Sequence, residues 1–117
     1  MVTHKTTYYE DYTIKTFSEF SGDVLVHYEE YNSKGNCVYK NIVGEYEETF
    51  EYDRKGRIKR INKIDEAKNL SWKTFSYTKN SMTILDRCAG NPPQIYKAVF
   101  GPIDEKGERL MIHQTFL

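Results

Sequence analysis

The stretch Tyr46-Glu47-Glu48-Thr49-Phe50-Glu51-Tyr52-Asp53-Arg54-Lys55-Gly56-Arg57-Ile58-Lys59-Arg60-Ile61-Asn62-Lys63-Ile64 decides the fold of this 117-residue chain. Two runs rich in aromatic and β-branched residues flank Asp53-Arg54-Lys55-Gly56-Arg57, and such residues suit the pleated surface of a strand. An Asp at the first turn position accepts hydrogen bonds from its own backbone, and a glycine three residues on takes a left-handed conformation without strain. Together they predict a type I turn closed by a glycine bulge, a common hairpin connection. Setting Asp53 opposite Arg57 places Tyr52 against Ile58, Glu51 against Lys59, Phe50 against Arg60, Glu47 against Lys63 and Tyr46 against Ile64. One face then holds Tyr46, Phe50, Tyr52, Ile58 and Ile64, while Glu47 and Glu51 meet Lys63 and Lys59 on the other. Facing opposite charges stabilise by about 0.2–1 kcal/mol per pair, and a one-residue slip would lose both patterns.

The same punctuation recurs outward from this hairpin. Tyr31-Asn32-Ser33-Lys34-Gly35-Asn36, Tyr77-Thr78-Lys79-Asn80-Ser81 and Ile103-Asp104-Glu105-Lys106-Gly107-Glu108 each separate two β-prone runs, and Ser21-Gly22-Asp23 makes a first turn. Strands are expected near 6–20, 23–31, 36–43, 46–53, 57–64, 70–77, 82–88, 95–102 and 108–116. Around Gly107, Tyr96, Ala98, Phe100, Leu110, Ile112 and Phe116 should share a face, with Lys97, Val99, Arg109, His113 and Thr115 on the other. Both faces of the Gly35 hairpin carry large apolar residues, so it should lie centrally, covered on both sides or beside a partner. Ala89-Gly90-Asn91-Pro92-Pro93-Gln94 reads as a loop, because paired prolines cannot continue a ladder. The expected fold is all-β: one domain over 1–117, an antiparallel up-and-down meander of eight or nine strands, either a twisted open sheet or a partly closed barrel.

Tyr52-Asp53-Arg54-Lys55-Gly56-Arg57-Ile58 resembles the tyrosine–aspartate (YD) repeat of Rhs and related wall-associated proteins, and Tyr31-Asn32-Ser33-Lys34-Gly35-Asn36 is a weaker copy. The resemblance covers residues 20–64 well and the remainder loosely. In that family such repeats build long sheets that spiral into shells around toxins. This chain has too few copies to enclose anything, so the resemblance implies hairpin geometry and the setting of a bacterial toxin system.

Composition bounds the remaining choices. Hydrophobic residues make up only 38% of the chain, yet ten Tyr, six Phe and one Trp supply large burial areas, which argues against disorder despite 29% charged residues. Formal net charge is zero, but residues 1–53 carry eleven acids against four bases and residues 54–117 carry six against thirteen, giving −7 and +7. Zero net charge argues against strong non-specific nucleic-acid binding, while the asymmetry allows a basic patch. The start, Met1 to Asp11, has no apolar run of the kind that leads a chain into or across a membrane, so a cytoplasmic location is expected. Cys37 and Cys88 belong to no Cys-x-x-Cys motif and are expected as reduced, buried thiols, with a mutual disulfide as the alternative in a secreted protein.

No pattern that carries catalysis stands out. His4, His27 and His113 lack metal-ligand spacing, and there is no nucleophile elbow, phosphate loop or dinucleotide fingerprint. Neither a metal nor a cofactor is therefore expected. Adjacent acids such as Glu29-Glu30 and Glu47-Glu48 point to opposite faces of a strand and cannot act as a pair. Two surfaces invite recognition. Tyr8-Tyr9-Glu10-Asp11-Tyr12 offers aromatic rings beside acids, and Tyr is enriched at binding hot spots. Arg54, Lys55, Arg57 and Arg60, within the basic run 54–63, form a candidate anion or nucleic-acid patch. The leading expectation is a non-enzymatic module that binds another protein through a sheet face or edge, such as an immunity protein blocking a toxin, or that self-associates head to tail. The alternatives are an apolar cup for a small ligand, gated by Asn91-Pro92-Pro93, and nucleic-acid binding through the basic hairpin.

Overall fold

Ten strands follow one another in the computed structural model, which describes residues 1–88 and 92–116. They are β1 (Val2–Tyr8), β2 (Ile14–Ser21), β3 (Val24–Tyr31), β4 (Cys37–Ile42), β5 (Tyr46–Tyr52), β6 (Ile58–Asp65), β7 (Leu70–Tyr77), β8 (Ser81–Cys88), β9 (Gln94–Phe100) and β10 (Met111–Phe116). Each strand pairs antiparallel with the next, in the order β1 to β10 of a single sheet. The all-β meander stands as the sequence implies. The barrel alternative does not, because β1 and β10 remain at opposite edges. Of the 89–94 segment, residues 89–91 lie outside the described residues, and Gln94 already belongs to β9.

Turn chemistry explains the tenth strand. Among the described residues, five turns share one bonding scheme, in which the first residue's N–H donates to the carbonyl four residues on and its own carbonyl accepts from the residue three on. They start at Tyr9, Asn32, Asp53, Asp65 and Asp104, with bonds of 2.8–3.1 Å. In four of them the first side chain is Asn or Asp and accepts further backbone N–H groups: Asn32 from Lys34 and Asn36, Asp53 from Lys55 and Arg57, Asp104 from Lys106 and Glu108, Asp65 from Asn69. Three of the five place glycine at the left-handed fourth position. The Tyr9 turn has neither device, since Tyr12 occupies that position at φ 69°. The single strand expected near 6–20 is replaced by the end of β1, a turn and β2, because this turn carries neither glycine nor a first-position Asx signal.

Irregularities after these turns correct the expected register. Tyr52 does oppose Ile58, but a bulge follows and sets Glu51 against Arg60, Phe50 against Ile61, Glu48 against Lys63 and Glu47 against Ile64. Ile64 therefore leaves the face assigned to it, and the charge pairing moves by one residue. The result is a ladder of facing residues, Glu29 with Lys40, Lys40 with Glu48, and Glu48 with Lys63, which alternates sign across four strands. Similar shifts occur beside Tyr8, Tyr31 and Met111. An extra residue in one strand of a pair bends it and flips later side chains. At the last hairpin the expected partners hold only beyond the bulge, where Val99 faces His113, Lys97 faces Thr115 and Tyr96 faces Phe116; Phe100 faces Met111 instead of Ile112, because the register shifts between Met111 and His113.

Among the described residues, no second layer covers this sheet. Ala98 at 7% exposure is the only buried hydrophobic residue among those described, and no large side chain is fully buried. The Gly35 hairpin is accordingly half-buried on both faces, not covered as its apolar residues suggested. The radius of gyration is 17.3 Å, against about 13 Å for a compact domain of this length. Accessible surface is 8780 Å², against about 6,600 Å² for a globular monomer of this mass. Cohesion comes from the continuous ladder and from cross-strand contacts, including the row Phe75, Ile84, Tyr96 and Phe116 on consecutive strands.

Candidate functional site

Because the chain reverses at every turn, the connections after β1, β3, β5, β7 and β9 collect at one end of the sheet, here the upper end. Neighbouring hairpins part company there: the β4–β5 ladder stops at Tyr39 and Thr49, and the β6–β7 ladder at Arg60 and Thr74. Tyrosines close the gaps. Tyr9 Oη donates to the Tyr31 carbonyl at 2.6 Å, Tyr52 Oη to Cys37 at 2.6 Å and Tyr77 Oη to Ile58 at 2.5 Å. Each carbonyl lies just beyond a ladder's last pair, so these hydroxyls satisfy backbone groups that the parting strands leave open.

The tyrosine-rich candidate residues sit at the far left of this end, on the β1–β2 turn. Tyr9 is structural, half-buried and bonded to Tyr31, with Lys15 Nζ 5.7 Å from its ring. Asp11 is committed to the turn, accepting from the Thr13 hydroxyl at 2.6 Å and its N–H at 3.1 Å. Those bonds hold its carboxyl below the usual aspartate range, the hydroxyl bond most strongly. Tyr8, Glu10 and Tyr12 face solvent, with Tyr12 87% exposed. The five residues are thus brought together, but two build the turn and three are displayed by it.

Towards the right of the upper end, the β5–β6, β7–β8 and β9–β10 connections surround a hollow of about 750 Å³. Tyr77, Met82 and Phe100 form its apolar lining, and Lys55, Arg57, Lys79 and Arg109 ring it with positive charge. No acid lines it among the described residues. Arg57 is held by Asp53 at 2.8 Å and stacks 4.3 Å from the Tyr77 ring centre. Arg109 donates to the Lys79 carbonyl at 3.0 Å. Of the anion patch read from the sequence, Lys55 and Arg57 line the hollow, while Arg54 is exposed at the turn tip. Arg60 belongs elsewhere: it bonds Asn62 at 2.8 Å and lies over Trp72 at 5.8 Å, beside a separate hollow of about 320 Å³. The basic run is thereby divided instead of forming one stripe. Sequence reading missed Tyr77, Lys79, Met82, Phe100 and Arg109, because only strand order brings 53–57, 77–82 and 100–109 to one rim.

His4 meets Glu19 and His27 meets Glu29, both at 3.0 Å. Burial works to raise the Glu29 carboxyl, but hydrogen bonds from Tyr31 and His27 outweigh it and the net shift is downward. No cluster of three or more His, Cys, Asp or Glu is arranged to hold a metal among the described residues. Cys37 is half-buried and Cys88 exposed, against the expectation that both are buried, and both are free thiols. β4 and β8 are four strands apart, far beyond the reach of a disulfide within one chain. Among the described residues, no helix is long and apolar enough to cross a membrane. No protein-family model matches the chain, and no curated protein matches it.

Proposed function

We propose that this chain is a protein-recognition module that acts by contact and not by catalysis. The observation that carries this reading is a single-layer sheet with both faces open and 8780 Å² of accessible surface. That is about 2,000 Å² above the value for a globular monomer of its mass, whereas one partner in a standard protein interface covers about 800 Å². Tyrosines stand in the exposed area, Tyr8 at 57% and Tyr12 at 87%, and Tyr is enriched at binding hot spots. An immunity protein masking a toxin is a concrete role of this kind.

The test is affinity capture from the host's extract, with the wild type and a Tyr8→Ser/Tyr12→Ser variant as parallel baits. A stoichiometric partner retained by the wild type and lost by the folded variant supports the reading. Equal capture by both baits removes these tyrosines from it, and a wild type that captures nothing and does not self-associate refutes it. Nucleic-acid binding by the 54–63 hairpin draws less support, because Arg60 is separated from the hollow that holds Lys55 and Arg57.

A further inference from the structure

We infer that two copies of this chain pair through their upper ends, with the β1–β2 turn of each seated in the basic hollow of the other. This rests on the recognition reading and names the partner as a second copy. Three independent observations converge on it.

The turn is built for display at a local cost. Among five turns with the same backbone bonds, it alone has tyrosines at both the Asx position and the left-handed position. A bulky residue in left-handed backbone is disfavoured and persists where something else selects it. Tyr12 is 87% exposed, so packing within the chain does not select it. Lys68 shows the same φ of 69° at the β6–β7 turn, but there Asp65 supplies the Asx bonds. Only the Tyr9 turn forgoes both devices.

The hollow has the complementary chemistry. An aromatic floor under cations suits a ligand that is both aromatic and acidic, through ring contacts and through charge. Tyr8, Glu10 and Tyr12 present that combination. The volume of about 750 Å³ lies within the roughly 300–1,000 Å³ of sites that engulf a drug-sized group, which is room for the rings of one turn. Lys55 and Lys79 have no acidic partner within salt-bridge distance among the described residues.

Topology makes both contacts simultaneous. Turn and hollow lie at the same end of the sheet but towards opposite edges. A two-fold axis normal to the sheet reverses the strand order of the second copy, so each turn meets the other's hollow. The acidic half, −7, then lies along the basic half, +7, in both directions. Such an isologous contact closes on itself and stops at a dimer.

Sedimentation equilibrium and light scattering over rising concentration, at low and high salt, read this directly. The wild type should show a monomer–dimer equilibrium that weakens with salt. Glu10→Lys/Tyr12→Gly should weaken dimerisation at least tenfold while leaving the fold intact, because glycine relieves the left-handed backbone. Lys55→Glu/Lys79→Glu, whose wild-type side chains make no hydrogen bond in the sheet, should do the same. Mixing the two variants should restore a heterodimer, since one interface is wild type and the other has its charges exchanged. A monomeric wild type at hundreds of micromolar, open-ended assemblies, or variants that dimerise like wild type would each overturn the proposal. A monomeric wild type that still captures a different protein refutes the self-pairing alone, whereas one that does neither refutes the recognition reading as well.

Discussion

Tyr9 and Tyr12 hold the two positions that Asn32 and Gly35, Asp53 and Gly56, and Asp104 and Gly107 hold in the equivalent turns. At such a position a non-glycine residue costs about 1–2 kcal/mol relative to its preferred conformation. Tyr12→Gly should therefore stabilise the isolated fold by about 1 kcal/mol, and Gly56→Ala, with φ at 81° and open space around its Cβ, should destabilise it by a similar amount. Urea denaturation of dilute, monomeric samples measures both, and a destabilised Tyr12→Gly would show that the tyrosine packs within its own chain. Tyrosine ionisation gives a second test at this scale. The Tyr31 hydroxyl donates to the Glu29 carboxylate, which with burial pushes its pKa up to about 12; burial, then a bond to Glu47, does the same for Tyr39. A folded pKa above the unfolded value contributes stability that is complete below about pH 10 and lost as pH rises through 12. In an absorbance titration at 295 nm, Tyr31→Phe should remove one late-ionising phenol. An unchanged late phase would exclude Tyr31 from that class.

Facing residues of alternating charge, Glu29, Lys40, Glu48 and Lys63, run across four strands of this sheet. Lys40 stands between two acids. Lys40→Glu turns the ladder into three adjacent acids and should cost roughly 1–2 kcal/mol, given about 0.2–1 kcal/mol for each favourable pair lost and a like penalty for each repulsion gained. The loss should shrink as salt is added. Denaturation midpoints at low and high ionic strength check this, and a loss independent of salt would assign it to packing. The ladder was half legible beforehand. Lys63 was expected to meet a glutamate across the β5–β6 hairpin, and it does, but the bulge after Tyr52 makes that glutamate Glu48 instead of Glu47. Nothing in the composition of Glu51-Tyr52 or Ile58-Lys59 marks that bulge. It arises where the left-handed turn twists into the flanking strands.

At the scale of the whole molecule, a ten-stranded layer without a cover distributes stability unevenly. Central strands are bonded on both sides, whereas β10 has one neighbour and leaves Met111, Ile112 and Phe116 between 54% and 69% exposed. Amide exchange should be slowest in β4 to β7 and fastest in β10, because edge strands with little buried surface open first. Uniform protection across all ten strands would point to a covering partner or a second layer in solution. The same thinness gives self-pairing a thermodynamic signature: a dimer that binds only folded chains raises the melting midpoint as concentration increases.

By itself the sequence determined the all-β class, the meander order, and the turns at Gly35, Gly56 and Gly107, since each follows from chain-local φ preferences and the period of two. It also showed the charge asymmetry and the aromatic, acidic segment Tyr8 to Tyr12. Only the tertiary structure decided that this segment is a turn, that the sheet stays open, and that Lys55, Arg57, Lys79 and Arg109 share one hollow. Those outcomes depend on bulges that reset side-chain direction and on which hairpins part at the upper end. Such effects accumulate over several strands, and no window of neighbouring residues contains them.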